Sequence, residues 1–360
     1  MNIFKNNYFT VIYIFLIIFG LFFNYFFLYF FLGLIFFVFF KKRNNYTYFI
    51  ISIIFFTFVL FELIFKDKEF KSDYLTVNNI KYDIDKNYGY HPVKNQIFSE
   101  EIFYKKNLIK KNVYTIDEYG HRKVENKNKS KNCIIFHGGS ITFGQSLSDN
   151  ETLPYYTKIL LSENYNVFNF AFNGYGPHQF LSKLENLNQK DINHCKKIII
   201  LYQFIYDHIG RTSGKRSWGD KSPRYVLNNN QLIQKGFFSD FPFKFVMKIR
   251  KNFRHSKVSN IFFNLQRVNQ KDTEIYLSIL KKIELVTKKN FLDTRFIYLV
   301  WNKNINNNVK LLDFFNNSES IFIDDLEIDD NIKYNNIPGD NHPKKEFNLI
   351  IANVLKKIIY

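Results

Sequence analysis

Ser140 follows a short apolar run, Cys133-Ile134-Ile135-Phe136-His137, within Gly138-Gly139-Ser140-Ile141-Thr142-Phe143-Gly144, and far downstream stands Asp340-Asn341-His342-Pro343. A nucleophilic serine needs a base for its proton, a group that orients the base, and donors for the oxyanion of a tetrahedral intermediate. The chain offers a candidate for each. Two residues apart, Asp340 and His342 fit one tight turn, the carboxylate reaching one imidazole nitrogen while the other faces Ser140. The backbone N–H of Ser140 is the first oxyanion donor. Gly174, in Asn169-Phe170-Ala171-Phe172-Asn173-Gly174-Tyr175-Gly176, is the second, because glycine lets the backbone approach a substrate closely. The chemistry this set can perform is acyl transfer through a covalent acyl-serine.

These residues need a scaffold that brings both loops to one place. From residue 132 onward, short apolar runs alternate with helical stretches, the pattern of a parallel sheet. The runs predict strands over 134–136, 166–170, 198–204, 296–301 and 321–323, with a helix beginning near 151–154 and running to about 161 and others over about 177–187, 273–289, 309–315 and 345–358 between and after them. Ser140 then follows the first strand, and Asp340 and His342 follow the fifth. In a doubly wound sheet both loops open on the carboxyl edge, where ligands bind. A stretch over about 210–260 reads as an irregular insertion over the site, with a hairpin around Asn228-Asn229-Asn230. Residues 67–131 read as a linker plus a small β element, with one strand near 113–119.

The apolar start is of a different kind. Residues 8–40 and 46–65 are each long enough to span a bilayer, and Lys41-Lys42-Arg43 lies between them. The first stretch exceeds one untilted span, so it is either a single overshooting helix or two short ones hinged near Asn24. Residues 1–66 therefore read as an anchor of two or three spans, 67–131 as the linker, and 132–360 as the α/β domain. The positive-inside tendency puts the basic turn in the cytoplasm and the α/β domain outside an inner membrane. The net charge of +18 invites a nucleic-acid partner, but lysines are scattered among asparagine, isoleucine and aromatics, without a basic amphipathic helix, zinc-finger spacing or arginine-rich arm. No nucleic-acid partner is expected. The two cysteines precede the first and third strands; a disulfide is open to them in an oxidising compartment, although two buried thiols are the commoner outcome.

With these motifs in place the chain resembles the SGNH, or GDSL-like, hydrolase superfamily, in its membrane-anchored bacterial form. Residues 138–144 resemble the family's first block, 169–176 with Gln179 its second, and Asp340-Asn341-His342-Pro343 with Ile351-Ala352 its last. Tyr88-Gly89-Tyr90-His91-Pro92 and Tyr119-Gly120-His121-Arg122 are similar to the lead-in of such anchored proteins. The resemblance implies a flavodoxin-like sheet of order 2-1-3-4-5 and ester hydrolysis or acyl transfer, without metal or organic cofactor. By family analogy it suggests O-acetyl esters of an envelope glycan as substrate.

Two positions depart from the pattern. Gly139 stands where the family most often has aspartate. In the third block, where an asparagine usually completes the oxyanion hole, strand three leads into Gln203-Phe204-Ile205-Tyr206-Asp207-His208. Tyr206 occupies the expected position, with His208 or Gln203 as other possible donors. Three readings stay open: an esterase, an O-acyltransferase using the same triad, and a non-catalytic glycan-binding or assembly protein with a degenerate site.

Overall fold

The computed structural model describes residues 12–360 apart from 22–23, 66–72, 127–129, 162–163, 187–191, 217–218, 263, 265, 292, 302–304, 306 and 335–341. The chain divides into two compact units. One comprises Met1–Phe70, Lys215–Asp220 and Ser239–Arg267, and the other the remainder.

The larger unit holds a five-stranded parallel sheet. Its strands are β6 (Asn132–His137), β7 (Asn166–Asn169), β8 (Lys197–Phe204), β11 (Asp293–Val300) and β12 (Ser320–Phe322), in the order β12-β11-β8-β6-β7. Taken in chain order this is 2-1-3-4-5, as the resemblance implies. Side chains of a strand alternate between faces, and here both faces are covered. Ile134, Phe136, Ile199, Leu201, Ile297 and Leu299 enter one apolar cluster with α5 (Leu153–Leu161) and α13 (Lys345–Ile359). Ile135, Ile198, Ile200, Tyr202, Tyr298 and Val300 enter the other, with α6 (Pro177–Asn186), α10 (Gln270–Asn290) and α11 (Val309–Asn316). Two short helices accompany these, α7 (Asp207–Thr212) directly after β8 and α12 (Asp330–Lys333). The hairpin near Asn229 forms as β9 (Pro223–Asn228) and β10 (Gln231–Phe237).

Residues 74–116 carry more sheet than expected. β1 (Tyr74–Asn78), β4 (Gln96–Tyr104) and β5 (Asn107–Ile116) form an antiparallel sheet, and β2 (Tyr82–Asp85) pairs with β3 (Gly89–Pro92). The alternation is obscured because polar groups point inward. Glu100, fully buried, accepts hydrogen bonds from Tyr114 Oη at 2.6 Å and Asn112 Nδ2 at 3.0 Å. The cysteines are joined: Cys133 and Cys195 form a disulfide with Cα atoms 5.8 Å apart, against the expectation of two thiols. Parallel pairing of β6 with β8 in register (Cys133↔Ile198) brings Cys195 within reach.

The smaller unit contains α1 (Ile12–Leu21), α2 (Tyr25–Arg43) and α3 (Tyr46–Ile64), of which α2 and α3 are long and apolar enough to cross a membrane. Asn24 is the hinge: its side chain accepts from the N–H of Phe26 and caps α2. The same unit holds two helices where an irregular insertion was expected, α8 (Phe243–Phe253) and α9 (Lys257–Phe262). Against expectation, α8 is a basic amphipathic helix.

Candidate active site

The carboxyl ends of β6 and β7 lie within one residue of each other, Phe136 standing opposite both Asn169 and Leu201, and β8 runs on to Phe204. Beyond β6 the backbone turns at Gly138, whose φ of +153° lies in a region that side-chain-bearing residues avoid. The next residues open α4 (Ser140–Phe143), which carries Ser140 at its first position. His342 lies just ahead of Pro343 and α13, and its Nε2 is 2.7 Å from Ser140 Oγ. Both residues are partly exposed, so the pair faces solvent. Asp340 falls outside the described residues.

The serine's short helix is held from behind by Arg122, a residue of the lead-in motif whose role the sequence does not reveal. Its buried guanidinium donates Nη1 to the carbonyls of Phe143 at 2.7 Å and Gly144 at 2.6 Å, and Nη2 to that of Leu147 at 2.6 Å. The first two are orphan carbonyls of the kind any helix end leaves, and the third lies in the loop that follows. Nε pairs with Asp149 at 2.9 Å, and the guanidinium lies 4.4 Å from the Tyr114 ring centre. Asn169 Nδ2 adds a bond to Thr142 O at 3.2 Å.

The loop after β7 is fixed by the other lead-in motif. Tyr90 Oη donates to Asn173 O at 2.9 Å, and Tyr175 Oη donates back to Tyr90 O at 2.5 Å. Gly174 sits in this turn with φ of +79°. Gln179 Oε1 accepts from the N–H of Gly176 at 2.8 Å, holding the loop to the start of α6.

The two departures from the family pattern meet in space. A Cβ on Gly139 would lie 2.5 Å from Arg211 Nη1, 3.0 Å from His208 Nε2 and 3.2 Å from Tyr175 O. The volume an aspartate would need at 139 is thus occupied by the residues that follow the altered third block. Arg211 is pinned there: Nε donates to Asp207 Oδ2 at 2.8 Å and Nη1 to Tyr175 O at 2.6 Å. His208 is buried, and its Nδ1 lies 2.6 Å from Tyr202 Oη. Because Tyr276 Oη donates to Tyr202 Oη at 3.1 Å, the Tyr202 proton is directed at Nδ1, which leaves the His208 proton on Nε2. That Nε2 has no hydrogen-bond partner among the described residues.

Burial, reinforced by the Arg211 charge, holds His208 well below the ordinary imidazole range, so the ring stays neutral. Burial likewise lowers His178 to about 3, with Arg211 adding to it, and His137 to about 3. His137 is stacked between Phe180 and Tyr202, with ring centres 4.1 and 4.4 Å away. Tyr206 packs against the core cluster around Tyr202 and Phe204, and among the described residues no hydrogen bond joins it to Ser140 or His342. Gln203 Oε1 accepts from Thr142 Oγ1 at 3.0 Å, so its carbonyl is engaged by the helix that carries Ser140. Among the described residues, Cys133, His194 and Cys195 cluster closely enough to ligate a metal, but the two sulfurs are spent in the disulfide.

No protein-family model and no curated protein matches the sequence. Several solved structures are similar. One from Parabacteroides merdae, described as a GDSL-like lipase, is 12% identical with a TM-score of 0.34, covering 65% of this chain and 97% of that one. A carbohydrate esterase, described as having divergent catalytic and non-catalytic binding functions at its active site, is 11% identical with a TM-score of 0.36, covering 79% and 97%. An acetyl xylan esterase from the rumen bacterium Butyrivibrio proteoclasticus is 10% identical with a TM-score of 0.34, covering 79% and 87%.

Proposed function

We propose that the chain is a serine esterase, anchored in a bacterial inner membrane by its N-terminal helices, whose α/β domain outside the membrane removes acyl groups, O-acetyl above all, from an envelope glycan. The observation that carries this reading is the 2.7 Å approach of His342 Nε2 to Ser140 Oγ. Ser140 Oγ attacks the ester carbonyl while its proton passes to His342 Nε2. The tetrahedral intermediate collapses as His342 returns that proton to the departing sugar oxygen, leaving an acyl-serine. Water, deprotonated by His342, then releases the carboxylic acid and restores the serine. Asp340, two residues before the base, orients it.

The oxyanion is held by the N–H groups of Ser140 and Gly174, with His208 Nε2–H in place of the family's asparagine. Support for the last assignment is the neutral, donor-ready imidazole beside Gly139. The glycan substrate and the membrane placement rest on the family resemblance and on the two apolar helices. The test is hydrolysis of p-nitrophenyl acetate by the full-length protein in detergent. Ser140→Ala is expected to lower kcat by at least about 10⁴-fold, and unchanged turnover in that variant would refute the assignment.

A further inference from the structure

Glu62 is out of place by composition. It is the lone carboxylate in α3, an apolar helix of 19 residues, and it is buried. A carboxylate in such a helix is costly unless its oxygens are hydrogen-bonded. Here three donors converge on it, all from the insertion: Ser256 Oγ at 2.6 Å and the backbone N–H groups of Lys257 at 3.0 Å and Val258 at 2.9 Å. Tyr29 of α2 adds a bond to Ser256 Oγ at 3.1 Å. Around this polar knot the insertion is packed on the apolar helices. Phe253 lies against Tyr25 and Tyr29, Phe262 against Phe58, and Asn252 Nδ2 donates to Leu21 O at 2.8 Å.

The depth of these contacts is fixed by the helix hairpin. Lys41, Lys42 and Arg43 mark one end, at the α2–α3 turn, while Tyr25, Phe58 and Glu62 lie towards the other. Nineteen residues rise about 28 Å, close to the hydrocarbon thickness of about 30 Å. The insertion therefore attaches about one bilayer thickness from the basic turn. Along α8, Lys244, Lys248 and Lys251 share one exposed face, while Phe245, Val246 and Ile249 form an adjoining apolar flank that continues onto the cluster with α2 and α3. Ile261 and Phe262 extend the exposed apolar surface on α9.

We propose that α8 and α9 lie in the lipid interface opposite the Lys41–Arg43 turn, with the apolar flank in the acyl boundary and the three lysines on anionic headgroups. This rests on the reading of α2 and α3 as membrane spans. The segment is then a second membrane attachment, locked by Glu62. A helix with a basic face and an apolar flank sits about 5–10 Å into the headgroup boundary.

The test uses the full-length protein in vesicles of phosphatidylglycerol and phosphatidylcholine, with a nitroxide at single introduced thiols; both native cysteines are in the disulfide. The positions are Leu34→Cys in mid-α2, and Val246→Cys, Ile261→Cys and Lys248→Cys in the insertion, all exposed, so each replacement is mild. Accessibility to oxygen and to a polar nickel chelate reads the depth. Leu34 is expected deep in the hydrocarbon, Val246 and Ile261 oxygen-rich just below the headgroups, and Lys248 at headgroup level. Replacing Lys244 and Lys251 by glutamine should shift Val246 towards water in phosphatidylglycerol vesicles and leave it unmoved in pure phosphatidylcholine. A deep Leu34 with Val246 and Ile261 fully aqueous would overturn the inference alone. An aqueous Leu34 would overturn the anchor and the inference together.

Discussion

The turn after β6 and the turn after β8 lie side by side on the same sheet edge yet depart very differently from the family they resemble. The first keeps its serine, presents it at 2.7 Å to His342 and is gripped from behind by Arg122. In the second the expected asparagine is gone, replaced by Tyr206, with a buried neutral His208 and a pinned Arg211 following it. The glycine at 139 belongs to this second change, because Arg211 and His208 fill the volume an aspartate there would occupy. Two departures that are far apart along the chain are one rearrangement in space. A family pattern read position by position would count them as two independent losses.

The strongest way to sharpen this contrast is His208→Phe, which preserves ring volume and removes the Nε2–H. Loss of one oxyanion donor costs about 10²–10³ in kcat, so turnover of p-nitrophenyl acetate should fall by that factor with KM nearly unchanged. Full activity in a folded variant would move the donor role elsewhere.

Gly139→Ala probes the junction itself. Overpacking costs about 1–3 kcal/mol in stability, because the new methyl meets Arg211 and His208. Combined with Arg211→Met, the loss should be less than additive by about 0.5–3 kcal/mol, as expected of residues in contact. Strict additivity in thermal or denaturant unfolding would break the claim that the two departures are one.

The last effect is on the pH dependence of stability, through two buried histidines on the elements that flank the site. His137 and His178 are buried, and burial lowers each to about 3. A histidine whose folded pKa lies below its unfolded value binds more protons when unfolded, so its contribution to stability is present above about pH 6.5 and is lost as pH falls towards the folded value. Each can contribute a slope of up to about 1.4 kcal/mol per pH unit in that window. His178→Leu should flatten the stability profile between about pH 6 and 4. An unaltered profile would show that His178 is not buried and neutral.

The five strands and the approach of His342 to Ser140 were legible from local signals, apolar strands, one ending in Gly-Gly-Ser, and a histidine just before an amphipathic terminal helix, whereas the order of the strands came from the family resemblance. The coupling of Gly139 to Arg211 was not legible, since it depends on where a guanidinium comes to rest after a turn. Neither was Arg122, whose partners Phe143 O, Gly144 O and Leu147 O are brought to it only by the folded turn. The strands over 74–116 were under-read because Glu100 and Asn112 point inward and break the alternation that marks a strand. The disulfide stayed open because adjacency of β6 and β8 does not by itself fix the Cys195 backbone. The basic face of α8 was lost in a chain where lysine is everywhere.

The central claim is that Ser140 is a nucleophile activated by His342, and covalent capture tests it most directly. Full-length protein treated with a fluorophosphonate should carry one phosphonyl group, on Ser140 by peptide mass spectrometry, with labelling abolished in Ser140→Ala and greatly slowed in His342→Ala. A folded protein that takes no label, or that is labelled as fast in Ser140→Ala, would contradict the account.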